Sequence, residues 1–248
     1  MKSRILTLLL CGASTLVDAQ TVFVSKHFNS VEHAQQTLSR QAHFLFDIHG
    51  VLFDRGQYVS ALKKIRNKGK FIKQGIKAAF SKKARRAYKE LQKTGNKITE
   101  RKFNAVKEFE HLHQELIDFS NNIFSPNNQM RNLLLHLKSR GHQLYLCSNI
   151  GNVTLERLVA QHPTFFAIMD SAQNTINRTA AQAHEFVWKP QQKAFDQATD
   201  TIGRKAHFCI FVDDQINNVQ AAHKAGLTAI HFISYPQFFH DIVTLLKL

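Results

Sequence analysis

A short run of large apolar residues that ends in a carboxylate most constrains the fold of this chain. Phe44, Leu45 and Phe46 stand in succession without polar alternation, and Asp47 follows them directly. Such a strand is typical of a parallel sheet covered by helices on both faces. In α/β folds of this kind, ligands bind at the carboxyl ends of the strands. Gly50 allows a tight turn beyond Asp47, so that backbone N–H groups could converge on an anion there. The alternative for an isolated aspartate is a turn cap.

Two further apolar runs end in polar residues in the same way. These are residues 144–147 and 208–212, and the polar side chains that follow them are Ser148, Asn149, Asp213 and Asp214. If all three runs are neighbouring parallel strands, their carboxyl ends bring these side chains and Asp47 together around one crevice. Lys189 precedes Pro190, which biases the lysine toward an extended or loop conformation. A lysine in a loop can reach the same crevice.

The gathered carboxylates indicate a metal ion. Carboxylates at one point repel one another unless a cation lies among them, and Mg²⁺ favours two or three such oxygens with room for water. A lysine and a serine hydroxyl beside that ion would bind a phosphoryl group, and one aspartate would be free to attack phosphorus. We infer that the attacking residue is Asp47.

The order and spacing of these clusters resemble the motifs of the haloacid dehalogenase (HAD) superfamily. The four motifs are matched by residues 47–52, by Ser148 and Asn149, by residues 189–195, and by residues 211–222 with 225–227. Each motif alone is weak, but four in the right order make the resemblance specific. It implies an α/β fold with a doubly wound (Rossmann-like) parallel sheet core and an inserted helical cap.

The resemblance also implies Mg²⁺-dependent hydrolysis of a phosphate monoester. Asp47 would form an aspartyl-phosphate intermediate and would bind the metal ion together with the backbone carbonyl of His49 and the carboxylate of Asp214. Asp213 would act nearby or through water, and Asn218 would orient the groups on the metal side. Catalysis would then consist of positioning and electrostatic stabilisation.

The phosphoryl group has its own set of residues in the resemblance. Ser148 and Asn149 would bind it by hydrogen bonds, and Lys189 would neutralise the charge shared between nucleophile and phosphate. The dehalogenase branch of the superfamily needs no metal and lacks the aspartate pair of the fourth motif. Asp213 and Asp214 therefore favour the phosphatase branch. Phosphotransfer to an acceptor other than water would use the same residues.

One position departs from the phosphatase pattern. Most phosphatases of this superfamily carry a second aspartate two residues after the nucleophile, where it serves as general acid and then base, and this chain carries His49 there. An imidazole, with an unperturbed pKa of about 6.5, could protonate a leaving alkoxide and later activate water. The alternative is an inert or slow site, because a nearby Mg²⁺ ion would disfavour the protonated ring.

The positive charge of the chain is concentrated in one segment. The formal net charge is +15, and residues 61–107 hold 17 Lys or Arg against Glu90 and Glu100, which leaves the remainder formally neutral. Apolar residues at three-to-four spacing predict amphipathic helices in this segment. With the resemblance, the predicted division is a helical cap over 54–125 and an α/β core over 20–53 and 126–248.

The basic segment suggests partners as well as a solvated helix face. Its charge would attract phosphate-rich molecules: a phosphorylated small-molecule substrate, nucleic acid, or an anionic membrane surface. An alternative function follows from this, namely a binding protein on a HAD scaffold that uses residues 61–107 and has weak or no turnover. Catalysis and binding are therefore both carried forward as hypotheses.

The amino terminus has the pattern of a signal peptide. Lys2 and Arg4 precede the mostly apolar residues 5–17, and small residues follow up to Ala19. The apolar stretch is shorter than the roughly twenty residues that span a bilayer. We predict a signal peptide over 1–19 and export to the periplasm or the medium, the alternative being a cytoplasmic protein with an N-terminal helix packed on its core.

Several elements of the core are predicted from the same patterns. Five parallel strands are expected, with residues 165–169 and 228–233 counted among them, and helices are expected over 31–40, 130–140, 216–225 and 238–248. In the implied fold, Cys147 and Cys209 are separated by the strand that leads to Asp47. Neighbouring strands lie about 4.8 Å apart, so the two thiols should be buried and free.

Overall fold

The computed structural model describes residues 20–55, 124–177 and 187–248, together with residues 69, 73, 82, 83 and 86. The strands in these residues are β1 (Val22–Phe23), β2 (His43–Phe46), β3 (Phe53–Arg55), β4 (Phe124–Pro126), β5 (Gln143–Leu146), β6 (Cys209–Asp213) and β7 (Thr228–His231). The α-helices are α1 (Val31–Leu38), α2 (Asn128–Ser139), α3 (Asn152–Gln161), α4 (Pro163–Phe166), α5 (Gln192–Ile202), α6 (Ile216–Lys224) and α7 (Tyr235–Leu246). A 3-10 helix, Ala206–Phe208, precedes β6.

The central sheet has the strand order β1-β7-β6-β2-β5. Strands β5, β2, β6 and β7 are parallel, and β1 pairs antiparallel with β7 at one edge. From β2 the chain reaches β5 on one side of it and later β6 on the other side. The strand order therefore reverses at β2, and ligands bind at such a reversal point, outside the carboxyl ends of the strands. Asp47 lies directly after β2.

Both faces of the sheet are covered by helices. Phe44 and Phe46 of β2 pack into a layer with α1, α2 and α7, whereas Leu45 packs into a second layer with α5 and α6. Successive side chains of a strand point to opposite faces, so a strand buried on both faces is apolar at every position. The predicted doubly wound α/β fold is confirmed.

The ends of the helices follow from local capping. The Ser30 hydroxyl accepts a hydrogen bond from the His33 N–H at 3.1 Å, and the Asn127 side-chain oxygen accepts one from the Met130 N–H at 2.9 Å. Each bond satisfies one of the free N–H groups in the first turn of its helix, α1 or α2. The predicted helices over 31–40, 130–140, 216–225 and 238–248 correspond to α1, α2, α6 and α7.

The strand predicted over residues 165–169 is wrong. Phe165 and Phe166 belong to the short helix α4, which begins at Pro163. Proline suits the first turn of a helix, where its missing N–H is not needed. Both phenylalanines pack on Phe53: the ring centroid of Phe165 lies 5.1 Å from that of Phe53, and the centroid of Phe166 lies 5.6 Å from it. A short apolar run does not by itself distinguish a buried helical turn from a strand. Within the described residues, the sheet therefore has four parallel strands and the antiparallel strand β1.

Strands β3 and β4 form a two-stranded antiparallel ribbon outside the central sheet. Phe53 lies opposite Pro126, and Arg55 lies opposite Phe124. The ribbon thus joins the two ends of the segment 56–123, where the chain leaves the core and returns to it.

The predicted helical cap over 54–125 falls largely outside the described residues, as does the predicted signal peptide over 1–19. Within the segment 56–123 the described positions are all helical and exposed, namely Gly69, Lys73, Lys82, Lys83 and Arg86. Among the helices that the structure describes, none combines the length and the apolar character needed to cross a bilayer.

The two described cysteines are buried free thiols, as predicted. Cys147 directly follows β5 and Cys209 begins β6, and β2 lies between these strands. Burial raises the pKa of Cys147 to about 11 and the pKa of Cys209 to about 12. Both thiols are therefore protonated at neutral pH and serve as small apolar core residues.

Replacement of Phe44 by alanine tests the packing of the central strand. Phe44 is fully buried, and we expect Phe44→Ala to lower the free energy of unfolding by about 3–5 kcal/mol, measured by urea denaturation. Leu135→Ala is the control, because Leu135 is 43% exposed and its truncation should change stability by about 0.5 kcal/mol or less. Equal losses in the two variants would contradict the packing described for β2.

Candidate active site

The ammonium group of Lys189 lies at the centre of the site. Its Nζ donates to Asp47 Oδ1 at 2.9 Å, to Asp213 Oδ2 at 2.6 Å and to the carbonyl oxygen of Cys147 at 2.7 Å. An ammonium group has three N–H donors, so these acceptors use all of them. The acceptors stand at the carboxyl ends of β2, β6 and β5, which are adjacent strands. The side chain of Lys189 therefore forms hydrogen bonds at the ends of all three strands. These are the strands whose carboxyl ends the sequence predicted to meet at one crevice.

The ion pairs of Lys189 are shielded from water. The side chain of Lys189 is 1% exposed and that of Asp213 is 0% exposed. Burial by itself would lower the pKa of Lys189, but the Asp47 carboxylate and then the Asp213 carboxylate outweigh it and hold the pKa above its ordinary value. Burial raises the pKa of Asp213, and the charge of Lys189 opposes that rise. Lys189 is therefore a fixed positive charge at neutral pH.

Asp213 is held on both of its carboxylate oxygens. Oδ1 accepts from the Gln215 N–H at 2.8 Å and from Asn218 Nδ2 at 3.0 Å, and Asn218 Nδ2 also lies 3.1 Å from Oδ2. With the bond from Lys189, each oxygen has at least two donors. Asn218, which the resemblance assigned to orienting the metal-side groups, makes its contact in the site through Asp213.

A second carboxylate, Asp214, completes an acidic group with Asp47 and Asp213. One carboxylate oxygen from each lies within 4.8 Å of the others. When all three are ionised, they exceed the single positive charge of Lys189 by two negative charges. Mg²⁺ binds oxygen ligands, and its two positive charges would balance the two excess negative charges. The residues present therefore fit this ion. The Asp214 side chain is also fixed by Gln215 Nε2, which donates to its Oδ2 at 3.0 Å.

Gly50 allows the backbone to approach Asp214 closely. Its φ angle is +91°, and a Cβ atom placed on it would lie 2.5 Å from Asp214 Oδ2. The Gly50 N–H donates to the Phe53 carbonyl at 2.8 Å, which closes the turn after Asp47. Only glycine fits here, because any side chain would adopt an unfavourable backbone conformation and would also occupy the space beside the carboxylate.

Two asparagines hold the segment that carries Lys189. Asn149 Nδ2 donates to the Lys189 carbonyl, and Asn149 Oδ1 accepts from the Lys189 N–H, both at 2.9 Å. Asn177 does the same for Val187: its Nδ2 donates to the Val187 carbonyl at 2.7 Å, and its Oδ1 accepts from the Val187 N–H at 3.1 Å. The side chain of Asn149, which the resemblance assigned to the phosphoryl group, thus contacts the main chain of Lys189. Its phosphate-binding role stays a prediction.

A third asparagine holds Ser148 in the same way. Asn174 Nδ2 donates to the Ser148 carbonyl, and Asn174 Oδ1 accepts from the Ser148 N–H at 3.0 Å. The sequence patterns did not identify Asn174 or Asn177. Neither residue follows a predicted strand, and only the folded chain brings them beside Ser148 and Val187. Ser148 itself is buried, 3% exposed, and adjoins the Cys147 carbonyl that binds Lys189.

His49 lies on the side of the site that faces the β3–β4 ribbon. Its ring is half-buried and packs on Phe124 of β4, with ring centroids 4.0 Å apart. A second histidine, His231, lies with its Nε2 atom 3.1 Å from the Asp214 carbonyl oxygen. The histidine that departs from the phosphatase pattern is therefore in contact with a residue at the boundary between core and insertion.

An open cavity of about 420 Å³ adjoins the acidic group. Gly50, Asp54, Asp214, Phe232 and Tyr235 are among the residues that line it. A cavity of this size accommodates a small phosphate-bearing molecule. Asp214 is the member of the acidic group that lines it.

Residues 42–226 match the family model of hydrolases described as haloacid dehalogenase-like. The match covers more than half of the chain and includes every residue to which the four sequence motifs gave a role.

A curated relative and two solved structures are among the similar proteins. The sesquiterpene phosphatase astK of Aspergillus oryzae is 28% identical over 106 residues, 43% of this chain and 50% of that protein, so the chain spans about half the length of the curated relative it matches. A HAD family enzyme of Bacteroides thetaiotaomicron, in complex with magnesium and inorganic phosphate, superposes with a TM-score of 0.54 at 17% identity, covering 80% of this chain and 98% of that one. The L-2-haloacid dehalogenase of Xanthobacter autotrophicus superposes with a TM-score of 0.52 at 16% identity, covering 82% of each chain. At these identities the two structures establish the common fold.

Replacement of Gly50 by alanine tests the close approach of the turn to Asp214. A left-handed backbone costs an alanine about 1–2 kcal/mol, and the contact with Asp214 adds a steric cost, so Gly50→Ala should lose more stability than Gly141→Ala. Gly141 is the matched control, because its φ of +85° is similar and a Cβ atom placed on it would meet nothing within 4 Å. Urea denaturation of both variants measures the difference. Equal losses would mean that Asp214 does not crowd the turn.

Proposed function

The chain belongs to the haloacid dehalogenase-like hydrolase family, and on this basis we propose that it hydrolyses a phosphate monoester in a Mg²⁺-dependent reaction. The observation that carries the proposal is the buried cluster in which Lys189 binds Asp47 and Asp213, with Asp214 in the same acidic group. A buried lysine among carboxylates, with Asp214 of the same acidic group lining an open cavity, suits a reaction at a dianionic phosphoryl group.

Asp47 is the nucleophile in this proposal. One of its carboxylate oxygens attacks phosphorus, and the bond from phosphorus to the ester oxygen breaks as the aspartyl-phosphate forms. Lys189 holds Asp47 Oδ1 at 2.9 Å, which fixes the direction of the carboxylate. Water then attacks the aspartyl-phosphate, which releases inorganic phosphate and restores the Asp47 carboxylate.

The metal ion would be held by the carboxylates of Asp47 and Asp214 and by the backbone carbonyl of His49, with Asp213 acting nearby. When bound, Mg²⁺ supplies positive charge next to the phosphoryl oxygens. Lys189 adds a fixed charge on the nucleophile, and its bond to Asp213 keeps it in place through both steps. Burial strengthens these interactions, because few water molecules compete with them.

Ser148 and Asn149 would bind the phosphoryl group beside Lys189. Asn174 fixes the main chain of Ser148, so the serine is presented in a defined orientation. Asn149 is paired with the Lys189 main chain, which links the position of the phosphate-binding loop to that of the lysine. We therefore assign Asn149 a positioning role in addition to the proposed phosphate contact.

His49 is proposed as the general acid for the leaving alkoxide and then as the base for water. The proposal rests on its place two residues after Asp47 and on its ring, which lies against Phe124 at the boundary with the insertion. Such a residue could contact a substrate that enters between the core and the inserted segment.

The substrate class is a phosphate-bearing small molecule. The match to a protein named a sesquiterpene phosphatase supports this class, and so does the magnesium and phosphate complex among the similar structures. Phe232 and Tyr235 also line the cavity beside Gly50 and Asp214, and the group that carries the phosphate could lie against them.

The alternative function is binding through the basic segment 61–107 with weak or no turnover. It is favoured by the exposed, helical positions of Lys73, Lys82, Lys83 and Arg86. Phosphate-rich partners such as nucleic acid or anionic membranes would be held by charge, and their binding would weaken steeply with salt.

Replacement of Asp47 by asparagine tests the nucleophile. Purified protein with Mg²⁺ should release the phenol from an aryl phosphate, and Asp47→Asn should reduce the release to background, because an amide does not attack phosphorus. Removal of Mg²⁺ by EDTA should have the same effect on the unchanged protein. Asp196→Asn is the matched control, because Asp196 is exposed on α5 and its replacement should leave turnover unchanged.

Two outcomes would contradict the proposed reaction. Undiminished release in Asp47→Asn would remove Asp47 as nucleophile. An absence of hydrolysis by the unchanged protein, together with salt-sensitive binding to nucleic acid or anionic vesicles, would favour the alternative function.

Replacement of His49 by alanine tests the general acid. General acid–base catalysis contributes typically about 10²–10⁴-fold, and it matters most for poor leaving groups. His49→Ala should therefore lower kcat by about 10²-fold for an alkyl phosphate and much less for a nitrophenyl phosphate. His240→Ala, at an exposed position of α7, is the control. The same small effect on both esters would indicate that the imidazole takes no part in proton transfer.

A further inference from the structure

A second cavity lies at the opposite end of the central sheet. Its volume is about 480 Å³, and it is lined by His33 and Arg40 near α1, by His43 at the start of β2, and by Arg204 and Phe208 before β6. Asp47 follows the last residue of β2, so the cavity and the acidic group are separated by roughly 13 Å along this strand at 3.3 Å per residue. The cavity is therefore distinct from the proposed active site.

The lining of this cavity is basic. It contains the guanidinium groups of Arg40 and Arg204, and none of its lining residues is an aspartate or glutamate. The remaining polar residues are two histidines, two glutamines and a threonine, whose side chains can also form hydrogen bonds with oxygen atoms. Guanidinium groups bind carboxylates and phosphates through paired hydrogen bonds, so two of them at one cavity favour an oxyanion.

A buried histidine nitrogen without a partner also favours an oxyanion at this cavity. His43 is 3% exposed and lines the cavity, and within the described part of the chain its Nδ1 atom has no hydrogen-bond partner. A buried polar atom without a partner destabilises the fold, and such atoms are rare in native proteins. The ring lies beside the ring of Tyr145, with centroids 6.4 Å apart. In the tautomer that carries the proton on Nδ1, His43 would donate to a ligand oxygen at the buried end of the cavity.

We propose that this cavity binds a small oxyanionic molecule, held by Arg40 and Arg204 at its charged group and by His43 at the buried end. The ligand carries a phosphate or a carboxylate group, because either presents the oxygen atoms that two guanidinium groups and an imidazole bind together. The proposal does not depend on the proposed hydrolysis, since none of these residues takes part in it.

Calorimetric titration of the full-length chain tests this site. Inorganic phosphate is one probe and citrate is the other, each added without divalent metal at a fixed ionic strength of about 0.15 M so that non-specific attraction is screened equally. At least one probe should bind saturably at one site. A charge-assisted pair of hydrogen bonds is lost in Arg40→Gln and in Arg204→Gln, so each variant should raise Kd about tenfold or more. Phosphate binding alone or citrate binding alone would identify the group that the site prefers.

Arg140→Gln is the matched control, because Arg140 is exposed at the end of α2 and does not line the cavity. Its Kd should stay within about twofold of the unchanged protein. All three arginines are exposed, so the variants should keep the fold. As a second readout, the imidazole NMR signals of His43, assigned with His43→Gln, should shift with the same saturation curve as the heat.

Three outcomes would overturn the proposal. Equal weakening in Arg140→Gln would indicate general charge attraction, and unmoved His43 signals during saturable binding would place the ligand elsewhere. Phosphate binding that is kept in both Arg40→Gln and Arg204→Gln would assign the phosphate to another site, such as the acidic crevice. Hydrolysis of an aryl phosphate tests only the proposed function, and the titrations test only the oxyanion site. Either proposal can therefore fail while the other stands.

Discussion

The buried ammonium of Lys189 is the interaction on which the site depends. It joins the carboxyl ends of three adjacent strands through Asp47, Asp213 and the Cys147 carbonyl. Three carboxylates crowded at a sheet end would repel one another without a cation among them. Because the lysine is buried, its loss would leave unpaired charges inside the protein, which is among the most destabilising changes that a fold can suffer. In the proposed reaction, the same charge would act on the phosphoryl group at Asp47.

The loops around this charge are held by side chains rather than by strand pairing. Asn149 binds both polar groups of the Lys189 main chain, and Asn174 does the same for Ser148. An asparagine side chain carries one acceptor and a donor group in nearly the spacing of a peptide, so it can replace a strand neighbour where the chain leaves the sheet. On the other side, Gly50 lets the turn come within contact of Asp214. Rigid loops of this kind provide the preorganised charge that electrostatic catalysis needs.

Much of the core and of the candidate site could be predicted from local sequence. The apolar run before Asp47 predicted a strand buried on both faces, and the helix predicted from residue 31 begins at Val31 as α1. The proximity of Asp47 and Asp213, with Lys189 able to reach them, was predicted because the carboxyl ends of neighbouring parallel strands lie at the same edge of a sheet. The prediction over 165–169 was wrong because burial makes a helical turn and a strand equally apolar. The catalytic roles, the cap and the signal peptide stay predictions.

The sequence by itself determined the buried strand before Asp47, the approximate places of four helices and the carboxylates able to hold an ion, because these depend on neighbours within a few positions. It also determined where the positive charge lies along the chain. Only the tertiary structure decided which side chains meet across long separations: Asn174 beside Ser148, Phe53 against Phe165, and Arg40 and Arg204 at one cavity. The reason is physical, since such contacts arise from the packing of whole elements, and no local pattern in the chain records the distance between residues far apart in sequence.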